Sequence, residues 1–169
     1  MAFRYRHRIH FRDTDAAGVV FFSNLFSLFH EAYEASLVAS GIDVRQFFRA
    51  VDFAAPIVHA DCDFFRPMRC GEIYDILLTP QQASVNEFSI TYQSFRVDGA
   101  LDSLGIDRLA TQSRSDGLAQ PLTQEAEPAL DPKQASAKAF TRHVVICAGD
   151  RQRIAIPPML LSWIEQWRD

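Results

Sequence analysis

Alternation opens the chain. Over residues 3–12, Phe3, Tyr5, His7, Ile9 and Phe11 fall on one side and mostly arginine on the other, the pattern of a half-buried strand. The period then lengthens. From Ser23, a residue type that caps helix N-termini, Phe22, Phe26, Phe29, Tyr33 and Leu37 recur at spacings of four, three, four and four. That places them on one face of a helix of about 18 residues, with Ser27, Glu31 and Glu34 off that face. Gly41 stands where a left-handed C-terminal cap is expected. Residues 43–51 add a short second helix. Strand-like stretches follow at about 54–66, 72–84 and 86–97, the last two joined by a tight turn at Val85-Asn86-Glu87. A fifth strand is predicted at Phe140–Cys147, with β-branched Val144, Val145 and Ile146 at its centre. After Pro157-Pro158, Met159–Trp167 reads as a short amphipathic helix with Leu160, Trp163, Ile164 and Trp167 on one side. It lacks the lysine-rich polar face of a membrane-surface helix, so docking on the chain's own sheet is expected.

Residues 98–137 break the pattern. They hold no Phe, Tyr or Trp and are rich in Ala, Ser, Gln, Asp and Pro, a composition that buries little apolar surface. The expectation is a single domain over 1–169 with a flexible insertion there; a substrate lid or partner-docking loop is the other reading. One strand, one long helix and then antiparallel strands make an α+β layout with the helix laid against the sheet. The sheet's remaining face or edge needs a partner, which predicts a homo-oligomer.

Composition narrows the classes. The 169 residues are 48% hydrophobic and 22% charged, ordinary for a globular domain. A net charge of −4 argues against a nucleic-acid partner, which draws a basic stripe. Cys62, Cys70 and Cys147 form no C-x-x-C pair and are odd in number, which fits reduced thiols in a cytoplasmic protein. The basic N-terminal residues precede no apolar stretch, so no secretory signal is read. No apolar run approaches the ~18 residues that span a bilayer, so no membrane insertion is expected.

The chemistry concentrates in Asp13-Thr14-Asp15-Ala16-Ala17-Gly18-Val19-Val20-Phe21-Phe22-Ser23-Asn24. A carboxylate, Asp15, stands on a glycine-bearing loop that leads into a helix. The helix start offers unpaired N–H groups and partial positive charge, suited to a developing oxyanion. Two readings of the acids stand open: they shape a turn, or Asp15 does acyl chemistry. No helper histidine or third carboxylate is read nearby at ligand spacing, so neither a metal nor another cofactor is expected. His59 shares a strand face with Asp61 and Asp63, as a general acid, a substrate-hydroxyl partner or an interface histidine. Arg66 and Arg69 flank Pro67 as a small basic cluster that suits phosphates or merely faces solvent. Glu31 and Glu34, beside His30, are polar-face residues or acids of the site.

The Asp13–Asn24 run resembles the D-x-D-x-x-G-(V/I)-V-(aromatic)-(aromatic)-x-N signature of the 4-hydroxybenzoyl-CoA thioesterase family. Within that family, His30-Glu31-Ala32-Tyr33-Glu34, Asp52–Ala60, Asp63-Phe64-Phe65 and Cys70-Gly71-Glu72 are similar to the cyanobacterial and plastid-type 1,4-dihydroxy-2-naphthoyl-CoA thioesterases of phylloquinone synthesis. The resemblance covers about residues 3–97 and 138–158. It implies a hotdog fold, a five-stranded antiparallel sheet wrapped around one long helix. It implies Asp15 as the catalytic carboxylate and the backbone N–H of Phe22 as an oxyanion donor. Gly18, Val19 and His59 are implied to meet the substrate, with Asp15 and His59 facing each other across a dimer interface in a dimer of dimers. An aromatic acyl-CoA is the implied substrate. Phe21, Phe22, Phe26 and Phe65 are candidates for its apolar slot, with core packing the competing reading for most of them.

Two departures qualify the transfer. Related bacterial enzymes carry basic residues at the turn between the third and fourth strands, where this chain has Ser84-Val85-Asn86-Glu87. Arg66, Arg69, Arg142 and Arg151 are the remaining candidates for CoA phosphates. The insertion at 98–137 is the second departure. Hydrolysis of fatty acyl-CoA or carrier-protein thioesters, and non-catalytic acyl-CoA binding, are the competing readings.

Overall fold

The computed structural model describes residues 1–50, 52–97 and 131–168. Most of the expected insertion, residues 98–130, lies outside them. Its end does not behave as an excursion: Ala135, Ser136 and Ala137 are buried, and Ala137 begins a strand. Small side chains there sit flat against the core, which composition alone reads as polar and loose.

The strands are β1 (Phe3–Arg8), β2 (Phe53–Ala54), β3 (Ile57–Phe64), β4 (Ile73–Gln82), β5 (Glu87–Arg96), β6 (Ala137–Val144) and β7 (Ile146–Cys147). Five of them form one antiparallel sheet in the order β1-β4-β5-β6-β3, with β2 and β7 paired separately. The fifth predicted strand is therefore two: β6 ends at Val144, and Ile146-Cys147 turns away to pair with Phe53-Ala54. β1 is shorter than the alternation suggested. After Arg8 the chain makes a single 3-10 turn at Phe11–Asp13, which leaves Phe11 85% exposed.

Helix α1 (Phe22–Ala39) crosses the inner face of the sheet. Leu25, Leu28, Phe29, Ala32, Tyr33, Ser36 and Leu37 are its buried residues, and Phe29 stacks on Tyr92 of β5 at 4.9 Å. The inner face is supplied by alternate residues, among them Tyr74, Ile76 and Leu78 of β4, Phe88, Ile90 and Tyr92 of β5, and Ala137 and Ala139 of β6. Two details of the predicted helix change. Phe21, not Ser23, is the N-cap, and it has no side-chain cap bond. Phe22 stands on the first turn, beyond the sheet edge, and is exposed. The C-terminus ends as read: Gly41 has φ +77°, and the N–H groups of Gly41 and Ile42 close back on the carbonyls of Val38 and Leu37.

A short helix α2 (Val44–Phe48) follows, capped by the Asp43 carboxylate. The last helix, α3 (Pro158–Trp167), starts with proline at its first turn. It docks through Leu160, Trp163 and Ile164, and the indole N–H groups of Trp163 and Trp167 donate to Ser36 and Ser40 at 3.0 and 2.7 Å. Among the described residues, no helix is long and apolar enough to cross a membrane.

Candidate active site

The loop between the 3-10 turn and α1 is held by its own backbone. The Asp15 N–H donates to the Val19 carbonyl at 2.9 Å, and the Gly18 N–H returns to the Asp15 carbonyl at 3.0 Å. Gly18 takes φ +74°, a conformation open to glycine and costly to a residue with a side chain. The loop is anchored at three points. Val20 N–H donates to Met68, Val19 bridges to Arg69, and Phe21 N–H donates to the Asp13 carbonyl. Asn24, from the third residue of α1, reaches back with Nδ2 to the carbonyls of Arg12 and Asp13, each at 3.3 Å. This amide ties the helix start to the loop. It belongs to the signature, but the sequence alone assigned it no role.

Asp15 is exposed, and among the described residues one of its carboxylate oxygens is engaged: Oδ1 accepts from the Ala17 N–H at 2.8 Å. At the start of α1, the N–H groups of the first turn have no preceding carbonyl within the helix, and Phe22 is its first residue. Carboxylate, glycine turn and helix start are thus brought onto one short, well-anchored segment.

The other candidates divide. Arg69 is drawn beside the loop through its bridge to Val19. Arg66 donates from Nη1 to the Gln134 carbonyl at 3.2 Å. Arg142 and Arg151 are exposed on β6 and on the turn after β7. Phe21 and Phe22 pair ring to ring at 4.6 Å, with Phe26 half-buried behind them and Phe65 exposed. His59 is on β3, the edge strand at the far side of the sheet, where Nε2 meets Asp61 at 2.9 Å. Among the described residues it meets Asp61 and Phe140, and neither contact reaches the Asp15 loop.

The structure also gathers a polar cluster that the sequence reading passed over. His7, near the end of β1, is buried between Glu31 of α1 and Asp13. The spacing His7-x-x-His10-x-x-Asp13 was its visible signal. Glu31 titrates below the usual carboxylate range because His7 donates to it. Tyr5, half-buried against the same carboxylate, is pushed up to about 12 by that burial and by the negative charge.

An antiparallel sheet wrapped on one long helix, with a carboxylate loop feeding the helix start, defines a hotdog thioesterase. The chain belongs to the thioesterase-like superfamily, whose family model matches residues 9–164. It is 39% identical over 165 residues to the 1,4-dihydroxy-2-naphthoyl-CoA hydrolase of Crocosphaera subtropica, covering 98% of this chain and 97% of that one. To the enzyme of the same name from Rippkaea orientalis it is 41% identical over 161 residues, with 95% and 94% covered. Among solved structures, a 1,4-dihydroxy-2-naphthoyl-CoA thioesterase from Synechocystis superposes with a TM-score of 0.73 at 29% identity, over 97% of this chain and 96% of that one.

Proposed function

We propose that this chain hydrolyses 1,4-dihydroxy-2-naphthoyl-CoA to 1,4-dihydroxy-2-naphthoate and CoA, a step of phylloquinone synthesis. The observation that carries the reading is the intact Asp15 loop, set in a chain that matches hydrolases of that name from end to end. The free oxygen of Asp15 attacks the thioester carbonyl, expelling the CoA thiolate to leave an anhydride that water then opens to the acid and free Asp15, or it takes a proton from a water that attacks directly. The Phe22 N–H at the start of α1 faces the oxyanion, a donor type whose removal costs about 10²–10³ in rate. The departing thiolate is a good leaving group, so no strong general acid is required. Gly18 and Val19 shape the floor under the acyl group. Arg69, beside Val19, and Arg66 take the CoA phosphates.

The active form is a homo-oligomer, a dimer of dimers, with each site between two copies. In its support, β3 is an edge strand on which Ile57, Val58 and Phe64 are 40%, 50% and 51% exposed, far more apolar surface than an edge usually leaves bare. Pairing there brings His59 from a second copy toward the Asp15 loop.

The test is thiol release from 1,4-dihydroxy-2-naphthoyl-CoA, benzoyl-CoA and palmitoyl-CoA by the wild type and by Asp15→Asn. Fast release from the naphthoyl substrate alone, lost in the variant, is the expected result. Preference for palmitoyl-CoA discards the substrate and keeps the family. Silence toward all three from a folded oligomer makes this a binding protein.

A further inference from the structure

Where β1 runs into the 3-10 turn, two histidines and a carboxylate point at one spot. His7 is 5% exposed. Its Nδ1 lies 3.1 Å from Glu31 Oε2, and Glu31 also accepts from the Tyr5 hydroxyl at 3.3 Å. A carboxylate in that position fixes the imidazole tautomer. The proton stays on Nδ1, and Nε2 keeps a bare lone pair. That nitrogen is buried and has no hydrogen-bond partner. It faces Asp13 Oδ2 at 3.5 Å instead. His10 brings its Nδ1 to 3.6 Å from the same oxygen. Donor atoms of His7, His10 and Asp13 all lie within 4.8 Å of one another.

Asp13 Oδ2 already accepts the His10 backbone N–H at 2.7 Å, but that bond does nothing for the buried, partnerless Nε2 of His7, and a lone pair facing a carboxylate oxygen is unfavourable. A cation between them resolves the conflict. It is either a proton on Nε2 or a metal ion. A proton explains His7 and Asp13 but not why the His10 ring, packed edge-on against His7 at 5.4 Å, turns its Nδ1 toward the same Asp13 oxygen. A metal uses all three. Tetrahedral zinc, bound to nitrogen and oxygen at about 2.0–2.2 Å, holds neighbouring donors about 3.4 Å apart. The separations of 3.5 and 3.6 Å already meet that spacing. The His10 side chain is 54% exposed and can swing to close the remaining gap to His7. Two imidazoles and a carboxylate, with a second carboxylate behind one imidazole, suit zinc better than magnesium or calcium, which take oxygen sets. Arg12 is the local competitor. It lies 3.6 Å from Asp13 Oδ1 and 3.9 Å from Glu31 Oε1, the oxygens this set does not use, and its side chain is 73% exposed.

We infer that His7, His10 and Asp13 form a binding site for a divalent transition-metal ion, zinc foremost, at the foot of the Asp15 loop. The site is independent of which thioester the chain cleaves. Its mechanical place is clear from the bonds already described: Asp13 holds Phe21 and Asn24 through its carbonyl. An ion on its carboxylate clamps both ends of the loop to β1.

The experiment treats the full chain with a chelator, removes it, and titrates with Zn²⁺ against a chromophoric zinc indicator. Co²⁺ supplies a second readout through the visible bands of a four-coordinate ion. One equivalent per chain is expected in the wild type. His7 and Asp13 are buried, so the diagnostic changes fall on the accessible members. Glu31→Gln weakens binding by about 10–100-fold, the usual effect of removing the carboxylate behind a ligating histidine. His10→Gln weakens it by more, with an unchanged circular-dichroism spectrum. Binding that is absent in the wild type, or equal in wild type and His10→Gln, overturns the site. Nitrogen-15 spectra showing His7 protonated on both ring nitrogens in the presence of Zn²⁺ overturn it too.

Discussion

His7 and His143 are buried to the same degree, 5% and 2% exposed, and sit in opposite chemistry. Among the described residues, the hydrogen-bond partners of His143 are neutral: the Ala55 carbonyl and the Thr141 hydroxyl, each 3.1 Å from a ring nitrogen, with His30 the titratable group near enough to act on it. Its ring stacks on Phe88 at 4.6 Å, in the aromatic group that also holds Tyr33 and Trp163. Burial pushes its pKa down to about 4, so it is a neutral core residue at ordinary pH. His7 lies between two carboxylates and leaves one nitrogen unpartnered. Depth of burial therefore does not distinguish a structural histidine from a reactive one. The charge of its neighbours does. The same contrast separates the two ends of α1: its C-terminal half is sealed by α3, while its first turn opens onto an exposed carboxylate loop.

If the ends are divided in this way, changes at one should alter turnover and changes at the other stability. The largest effect is expected from Asp15→Asn, which lowers kcat by about 10³-fold or more while changing the unfolding free energy from urea melts by no more than about 0.5 kcal/mol. Asparagine keeps the oxygen that accepts from Ala17, so a large loss of stability would break the division. Trp163→Ala should do the reverse. It empties a fully buried site and strands Ser36, a loss of about 3–5 kcal/mol in denaturant melts, with the KM of the folded fraction unchanged.

A pH titration of stability sharpens the histidine contrast. Above pH 6.5, His143 is neutral in both the folded and unfolded states. Between about 6.5 and 4 the unfolded chain takes up the proton and the native one does not. Stability from this group is thus complete above 6.5 and falls as pH falls, by on the order of 3 kcal/mol at pH 4. His143→Asn should flatten that limb of the curve, and an unchanged limb would show that His143 is not its source. Ser36→Ala is the mildest change. It leaves the Trp163 indole N–H without its acceptor, at a cost of about 1–3 kcal/mol.

Periodicity in the sequence carried the long helix, its Gly41 cap, the strands around 57–64, 73–82 and 87–96, and the docking of the last helix. Each follows from a pattern the backbone must satisfy locally. The failures were tertiary. Phe11 and Phe22 continue the apolar rhythm onto the 3-10 turn and the first helical turn, where they are 85% and 64% exposed. The break at Val145 depends on β2, a partner more than eighty residues earlier in the chain. At the site, the loop was legible because D-x-D-x-x-G is contiguous. The His7–Glu31 pair was hidden because strand and helix meet only in the folded chain.

The strand order has a consequence for how the protein is made. β1, β4 and β5 are neighbours, and they and α1 are complete once residue 96 has been synthesised. Among the described residues of one chain, β3 pairs with β6 alone, whose first residue is Ala137. At about 5–20 residues per second, a ribosome needs several seconds after finishing β3 to deliver that partner. Throughout that interval Ile57, Val58 and Phe64 belong to a strand with neither of its edges paired. The nascent chain, more than the finished protein, is therefore the form that calls for a chaperone.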